Sequence, residues 1–194
     1  QFGPKEDLAT YPRDPDRDNR LAESAGVNYV FAPSSGEMYP EKYNTYVEVE
    51  GPMVEKMCGK SRPGHFSGVT TVVLKLFLIT QPDRAYFGQK DAQQAIIVRK
   101  MVTDLNVPIK IVTCPIVRDA DGLALSSRNI YLSPKERKQA LALPKALSAG
   151  KDMILKGKTD PQSVRQLIIE VLESSPGIRI DYVEVVNGDN LEEL

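Results

Sequence analysis

RAYFGQKDAQQAIIVRKMVTDLNVPIKIVTCPIV, residues 84–117, contains a complete strand–turn–helix–strand pattern. Residues 84–87 predict a short strand, and residues 91–106 predict a helix because their apolar side chains recur at helical spacing. Residues 109–117, rich in isoleucine and valine, predict a second, buried strand. Two strands joined through a helix normally lie parallel in one sheet. The stretch therefore predicts an α/β fold with a parallel sheet.

The residues before this unit predict further helices and short strands. Apolar positions from Val69 to Phe77 follow helical spacing, and Pro82 lies beyond the end of that helix. A helix is also expected over residues 17–26, with short strands over residues 27–32 and 45–49.

The residues after the unit predict a smaller α+β domain. Ser133 to Glu136 form a capping box that opens a helix running towards Gly157. A second helix is expected from Asp160 to about Ser174, followed by a strand over residues 180–186. We place the boundary in the turn region after the second strand of the βαβ unit, which divides the chain into domains 1–116 and 117–194.

Composition limits the classes of function. The 194 residues include 25 Lys plus Arg against 26 Asp plus Glu, which disfavours a nucleic-acid partner because phosphate binding needs a basic excess or a basic face. No apolar run reaches the length of a membrane span, and residues 1–5 do not have the pattern of a signal peptide. We expect a cytoplasmic protein with no membrane contact, in which Cys58 and Cys114 are free thiols.

The first candidate site is Gly88-Gln89-Lys90-Asp91, between the predicted strand and helix. The carboxyl end of a parallel strand opens onto the crevice where ligands bind, and free N–H groups at a helix start attract anions. Gly88 would allow close backbone approach, Lys90 would supply a charge for phosphate, and Gln94 lies one turn further on. From composition alone, a capped helix with a surface lysine is favoured over a nucleotide site.

The second candidate site is Leu125-Ser126-Ser127-Arg128, which follows the turn at Asp121-Gly122. Two hydroxyls and a guanidinium on one loop can follow the charge of a polyphosphate as it moves to the leaving group. By itself this segment fits a solvated polar loop better.

Taken together, these segments resemble the pantothenate synthetase family, whose members are AMP-forming pantoate–β-alanine ligases. The resemblance rests on residues 86–94 (YFGQKDAQQ), 121–129 (DGLALSSRN) and 61–69 (SRPGHFSGV), and on Gln1-Phe2-Gly3 with Tyr11-Pro12-Arg13. It extends over essentially the whole chain, in order. It implies a place in the nucleotidylyltransferase superfamily, with a Rossmann-like parallel sheet in the first domain and a smaller C-terminal domain, and it implies a homodimer.

The resemblance also implies roles for individual residues. Pantoate would first react with ATP to give a pantoyl-adenylate and pyrophosphate, and the amine of β-alanine would then displace AMP. Gln1 and Gln94 would hold pantoate, and Gln1 would also contact β-alanine. The residues that would bind ATP are Gly88, Gln89, Lys90, Asp91, Val117, Leu125, Ser126, Ser127 and Arg128. Four of these, Lys90, Ser126, Ser127 and Arg128, would carry catalysis by stabilising phosphate charge.

Two glutamines suit a site whose substrate carboxylate must act as a nucleophile. A carboxamide donates and accepts hydrogen bonds without neutralising that carboxylate. The family also uses Mg²⁺ with ATP, and Asp18 matches a position where the family can place a metal-associated acid. A solvated acidic helix start is the favoured explanation of Asp14, Asp16 and Asp18.

One family motif is not found in these 194 residues. The family's HxGH motif supplies histidines to the phosphates, whereas the single histidine here, His65, belongs to another motif and fits a structural role at least as well as a substrate contact. We therefore expect the chain to be an inactive segment of a longer enzyme. The alternative function is a non-catalytic nucleotide-binding module of the same superfamily, and a related nucleotidylyltransferase with another acid substrate is disfavoured by the paired Gln1 and Gln94.

Overall fold

The computed structural model describes residues 2–3 and 6–194, and in these residues a parallel pair of strands lies among helices. Gln1, predicted to contact both pantoate and β-alanine, lies outside the described residues. In chain order the elements are α1 (Pro15–Ser24), α2 (Ser35–Met38), α3 (Pro52–Glu55), α4 (Cys58–Ser61), α5 (His65–Thr80), β1 (Arg84–Gly88), a 3₁₀ helix (Gln89–Asp91), α6 (Ala92–Asp104), β2 (Lys110–Cys114), a 3₁₀ helix (Ser127–Tyr131), α7 (Pro134–Ala140), α8 (Ala142–Leu155) and α9 (Pro161–Glu173).

The βαβ unit predicted from residues 84–117 is present. β1 and β2 pair in parallel, with Tyr86 opposite Val112 in the register. α6 connects them and buries an apolar stripe that includes Val98 and Met101. β2 ends at Cys114, earlier than the predicted strand end, and Pro115, which has no N–H to donate, follows it directly. The α/β class is therefore confirmed.

A first apolar core packs α5 and α6 together beside the sheet. α5 begins after Gly64, whose φ of +78° is a left-handed value that glycine adopts without strain, and it ends before Pro82. The buried members of this core are Val69, Phe77, Val98, Met101 and Val102. Because α6 starts where β1 ends, this packing fixes the position of the candidate site at Lys90 and Gln94.

A second apolar core joins α8 to α9. Its buried members are Ala142, Ala146, Val164, Ile168 and Leu172. Gly150 lies on α8 where an added Cβ would come within 2.8 Å of the Ile168 Cδ1 atom, so a glycine lets the two helices approach closely. All members of the first core precede residue 117 and all members of the second follow it. This separation supports the division into 1–116 and 117–194, which stays a prediction.

Two predicted strands in the first half of the chain are not formed. Residues 27–32 are extended without a strand partner in the described chain, and Tyr29 is 92% exposed. Residues 45–49 are held by side chains of α5: the Val47 N–H donates to Thr71 Oγ1, and Thr70 Oγ1 donates to the Val47 carbonyl. An apolar β-type run becomes a strand only where another strand can take its backbone hydrogen bonds.

The predicted strand over residues 180–186 is also absent, although its alternating side chains do pack inwards. Ile180, Val183 and Val185 contact the second core. Within the described residues its one backbone bridge is an isolated antiparallel one between Val186 and Glu193, while the Val183 carbonyl accepts from Arg165 Nε at 2.6 Å. The alternation therefore predicted burial correctly and the strand incorrectly.

The helix predicted from the capping box towards Gly157 is divided in two. The box itself is present, with the Glu136 N–H bonded to Ser133 Oγ and a Glu136 carboxylate oxygen accepting from the Ser133 N–H. α7 ends at Ala140 and α8 starts at Ala142. Pro144 explains the break, because proline has no N–H for Ala140 and its ring clashes with the carbonyl four residues earlier.

None of the helices in the described residues is long and apolar enough to cross a membrane. Cys58 and Cys114 are both free and partly buried, as predicted.

Candidate functional site

A cavity of about 590 Å³ lies between the start of α6 and the loop before the 3₁₀ helix Ser127–Tyr131. This volume is within the range of pockets for small molecules and cofactors. Segments far apart in sequence line it: Phe2 and Tyr11, Met57 to Phe66 in part, Lys90 to Gln94, Leu125 to Arg128, and Tyr182, Val186 and Leu191. The two predicted sites at Lys90 and at Ser126 thus face one cavity.

The α6 side of the cavity is formed by the turn after β1. Lys90 and Asp91 lie in the 3₁₀ helix Gln89–Asp91, and the Lys90 ammonium lies 3.2 Å from an Asp91 carboxylate oxygen. Gln94 lies one turn into α6 and is half-buried. Its side chain makes no hydrogen bond to the described residues. Its carboxamide therefore has donors and acceptors left for a ligand.

The opposite side is formed by Leu125 to Arg128. The Leu125 N–H donates to the Val117 carbonyl at 2.9 Å, which ties the loop to the end of the sheet region. Ser126 Oγ accepts from the Arg128 N–H, and Ser127 Oγ is 2.8 Å from the Tyr11 hydroxyl. Ser126, Ser127 and Arg128 all line the cavity.

Two acid–arginine pairs attach residues 6–11 to the cavity. Arg62 Nε and Nη2 donate to the Glu6 carboxylate at 2.7 and 2.6 Å. Arg128 Nε and Nη2 donate to the Asp7 carboxylate at 2.9 and 2.8 Å. The hydrogen bonds from these arginines lower the pKa of both carboxyls below their usual values, so the acids are held as anions. Sequence reasoning missed both acids, since neither lies in a motif.

His65 is buried at the first position of α5 and lines the cavity. Its Nε2 atom is 3.0 Å from Arg62 Nη1, and its ring packs against Phe66. His65 therefore contacts the same arginine that holds Glu6.

Gln93, which sequence reasoning also missed, is buried and holds the loop at α3 and α4. Its Oε1 atom accepts from the Cys58 N–H at 3.1 Å, and its Nε2 atom donates to the carbonyls of Met53 and Lys56, each at 2.9 Å. The adjacent pair Gln93-Gln94 is visible in the sequence and could have pointed to Gln93. Only the fold shows that the two side chains face different surroundings.

Cys58 and Tyr182 join this loop to the C-terminal part of the chain. Cys58 Sγ is 2.8 Å from the Tyr182 hydroxyl, and Ser61 Oγ donates to an Asp181 carboxylate oxygen at 2.6 Å. Burial, and then the hydrogen bond with Cys58, raise the pKa of Tyr182 above its usual value. The contacts bring the C-terminal segment against the cavity wall.

Four residues predicted for the site are not on the cavity wall. Gly88 and Gln89 directly precede the lining residues, Val117 is 66% exposed, and Asp18 is exposed on α1. Gly88 has an extended φ of −73°, and an added Cβ would meet nothing within 4 Å, so neither its backbone nor its packing requires glycine.

The acidic start of α1 has a structural role. Asp14 accepts from the Arg17 N–H as the cap of this helix, in agreement with the favoured explanation of the acidic residues there.

Within the described residues, no group of three or more His, Cys, Asp or Glu side chains could hold a metal ion. A magnesium ion at this cavity would have to take most of its ligands from phosphates and water, as magnesium bound with nucleotides commonly does.

A parallel βαβ unit with a cavity at the strand ends that is lined by hydroxyls, lysine and arginine is typical of a nucleotide-binding α/β protein, and the similar solved structures give it the nucleotidylyltransferase fold. The model of the Pantoate-beta-alanine ligase family matches residues 1–194. The chain belongs to this family of ligases.

Individual relatives agree with this assignment. The pantothenate synthetase of Acetivibrio thermocellus is 60% identical over all of this chain, which covers 69% of that protein, and that of Moorella thermoacetica is 58% identical with 68% covered. The crystal structure of pantothenate synthetase from Thermus thermophilus superposes on the whole chain with a TM-score of 0.96 at 49% identity, and the chain covers 70% of it. The Francisella tularensis pantoate-beta-alanine ligase, complexed with beta-gamma ATP and beta-alanine, matches 93% of this chain with a TM-score of 0.76 at 33% identity, and 65% of that protein is covered.

Proposed function

We propose that the protein carrying this chain condenses pantoate with β-alanine at the expense of ATP, through a pantoyl-adenylate. The observation that carries the proposal is that the Lys90–Gln94 and Leu125–Arg128 segments line one cavity in a chain of the pantoate–β-alanine ligase family. The Francisella relative, crystallised with an ATP compound and β-alanine, supports the same substrates here.

The proposed ATP site extends from Gly88 to Asp91, across Val117, and along Leu125 to Arg128. Gly88 leaves room for a phosphate at the end of β1, because nothing in the fold occupies that space. The Lys90 ammonium and the Arg128 guanidinium are placed to attract the phosphates, and the hydroxyls of Ser126 and Ser127 can hydrogen-bond to them. Charge that develops on the leaving pyrophosphate would be stabilised by these groups.

The proposed pantoate site uses Gln94 and Gln1. Gln94 is half-buried at the cavity with an uncommitted carboxamide, which can hold the substrate's hydroxyl groups while its carboxylate stays free. A pantoate carboxylate oxygen attacks the α-phosphorus of ATP, and the bond to pyrophosphate breaks. The β-alanine amine, held in part by Gln1, then attacks the acyl carbon, loses a proton and displaces AMP.

Mg²⁺, a homodimer and a cytoplasmic location complete the proposal. The metal would bind through the phosphates of ATP, and the exposed position of Asp18 on α1 gives it no place at the cavity wall. The homodimer and the cytoplasmic location follow from family membership, and light scattering of the purified protein would test the first.

Pantoate-dependent exchange of labelled pyrophosphate into ATP tests the proposed function. Measured on the full gene product, exchange should need pantoate and Mg²⁺ but not β-alanine. Gln94→Ala should raise the KM for pantoate about tenfold, because a hydrogen-bonding partner is lost. Gln162→Ala, at an exposed site on α9, should leave it unchanged. ATP binding without exchange would instead favour a non-catalytic nucleotide-binding module.

A further inference from the structure

All the lysine and arginine side chains that line the cavity in the described residues are already paired with carboxylates. Lys90 is paired with Asp91, Arg62 with Glu6, and Arg128 with Asp7. A triphosphate binds through cations, and a cation that is paired with a carboxylate attracts it less. These three pairs leave the cavity close to neutral at the positions where the proposed function needs positive charge.

The Asp7–Arg128 pair is the one that involves the proposed phosphate loop. Both oxygens of Asp7 accept from Arg128, through Nε and Nη2, in the two-bond arrangement that a phosphate also forms with arginine. The guanidinium also lies over the rings of Tyr11 and Phe2, at 5.1 and 5.7 Å from the ring centroids. The same edge of the guanidinium therefore cannot bind Asp7 and a phosphate at once.

The neighbouring contacts show that Asp7 belongs to a segment attached to the phosphate loop by exposed bonds. The Tyr11 hydroxyl bonds to Ser127, and the Tyr131 hydroxyl donates to the Thr10 carbonyl at 2.8 Å. All three contacts are exposed to solvent, and exposed contacts of this kind contribute little to stability. A ligand that binds Arg128 and Ser127 can therefore displace the Asp7 side chain at low cost, while the part-buried Glu6–Arg62 pair keeps the start of the segment in place.

We propose that Asp7 is an internal counter-anion of the nucleotide site: it occupies Arg128 in the ligand-free protein, yields it to a phosphate of ATP, and so sets the affinity for the triphosphate. The inference rests on the proposed function, because it takes the ligand of Arg128 to be a polyphosphate. A role for Asp7 in orienting Arg128 towards the phosphates predicts the opposite effect of removing its charge, so the two can be separated by sign.

Calorimetric titration of the full gene product with Mg·ATP tests the inference. Asp7→Asn keeps the shape of the side chain and removes its charge, so the Kd for ATP should fall about three- to tenfold. Asp7→Glu should bind ATP within about twofold of the wild type, because the carboxylate is kept. Asp104→Asn removes one charge from an exposed ion pair with Lys100 at the end of α6 and measures the effect of net charge alone.

A double-mutant cycle with Arg128→Ala then shows whether the effect acts through Arg128. The gain from Asp7→Asn should be lost in the Arg128→Ala background, since the freed guanidinium is its cause. An Asp7→Asn protein that binds ATP as the wild type does, or more weakly, would overturn the inference, as would an equal gain in Asp104→Asn.

Inorganic tripolyphosphate separates this inference from the proposed function. If the wild type binds tripolyphosphate but shows no preference for ATP, and Asp7→Asn tightens that binding, the inference survives while the assignment of ATP fails. If neither ligand binds, both fail.

Discussion

Gln93 and Gln94 are adjacent on α6, but the fold gives them different environments. Gln93 is buried and uses its whole carboxamide to hold backbone groups of Met53, Lys56 and Cys58. Gln94 is half-buried and lines the cavity, and its side chain makes no hydrogen bond to the described residues. One residue therefore supports the cavity wall, and the next is available to a ligand.

We expect Gln93→Ala to lower the free energy of unfolding by about 1–3 kcal/mol, because a buried carboxamide and its three hydrogen bonds to part-buried backbone groups are lost. Gln94→Ala should change it by less than about 0.5 kcal/mol, since no internal hydrogen bond is lost. Urea denaturation followed by circular dichroism checks both, and the chain has no tryptophan to report by fluorescence. Equal losses in the two variants would contradict the different roles assigned to them.

At the scale of elements, α9 depends on an N-cap and on its contact with α8. The Asp160 carboxylate accepts from the Ser163 N–H at 2.8 Å, and Pro161 occupies the first turn. Hydrogen bonds from Ser163 lower the pKa of Asp160 below its usual value of 3.8. Since α9 supplies three of the five buried members of the second core, its cap affects the whole C-terminal part.

Asp160→Ala should lower the stability of the chain at pH 7, because α9 loses its N-cap. Its folded-state pKa is depressed, so the cap contributes above the ordinary carboxyl pKa and is lost as the pH falls through the folded value. Thermal melts from pH 7 to pH 2.5 should therefore show the wild type converging on the variant. Asp152→Ala, at an exposed position of α8 without a side-chain hydrogen bond, is the control.

At the scale of the whole molecule, ion pairs and hydrogen bonds connect parts of the chain that are distant in sequence. Glu6 pairs with Arg62, Asp7 with Arg128, and Lys56 with Glu193 at 2.6 Å. The first two pairs attach residues 6–11 to arginines of the cavity wall, and the third joins the α3–α4 loop to the C-terminal segment. The arrangement of the cavity is thus sensitive to charge in a way that the two apolar cores are not.

Acid should weaken these connections. The hydrogen bonds from Arg62 depress the pKa of Glu6 below its ordinary 4.5, so the pair is fully present above that value and is lost as the pH falls through the folded-state pKa. Glu6→Gln should cost about 1 kcal/mol at pH 7 and progressively less below about pH 4.5. Glu173→Gln changes an exposed acid of α9 that has no side-chain partner and should have no such effect. A constant difference between Glu6→Gln and wild type at all pH values would contradict this account.

Patterns that depend on neighbours along the chain could be predicted from the sequence. The βαβ unit, α5, the capping box at Ser133 and the start of α9 at Asp160 all follow from helical spacing, caps and prolines, and all are present. The predicted strands over residues 27–32, 45–49 and 180–186 are not formed, because a strand needs a partner that local sequence does not specify. The membership of the ligase family likewise followed from motifs that are continuous in sequence.

The sequence by itself determined the α/β class, the family and the segments proposed to hold ATP and pantoate, because each is encoded in a short run of residues. Only the tertiary structure decided that Lys90 to Gln94 and Leu125 to Arg128 face one cavity, that Gln93 supports its wall, and that Glu6 and Asp7 occupy two of its arginines. The reason is physical: hydrogen bonds and ion pairs between Asp7 and Arg128, or Gln93 and Cys58, depend on distances across the folded chain. Such contacts leave no periodicity or motif in the sequence.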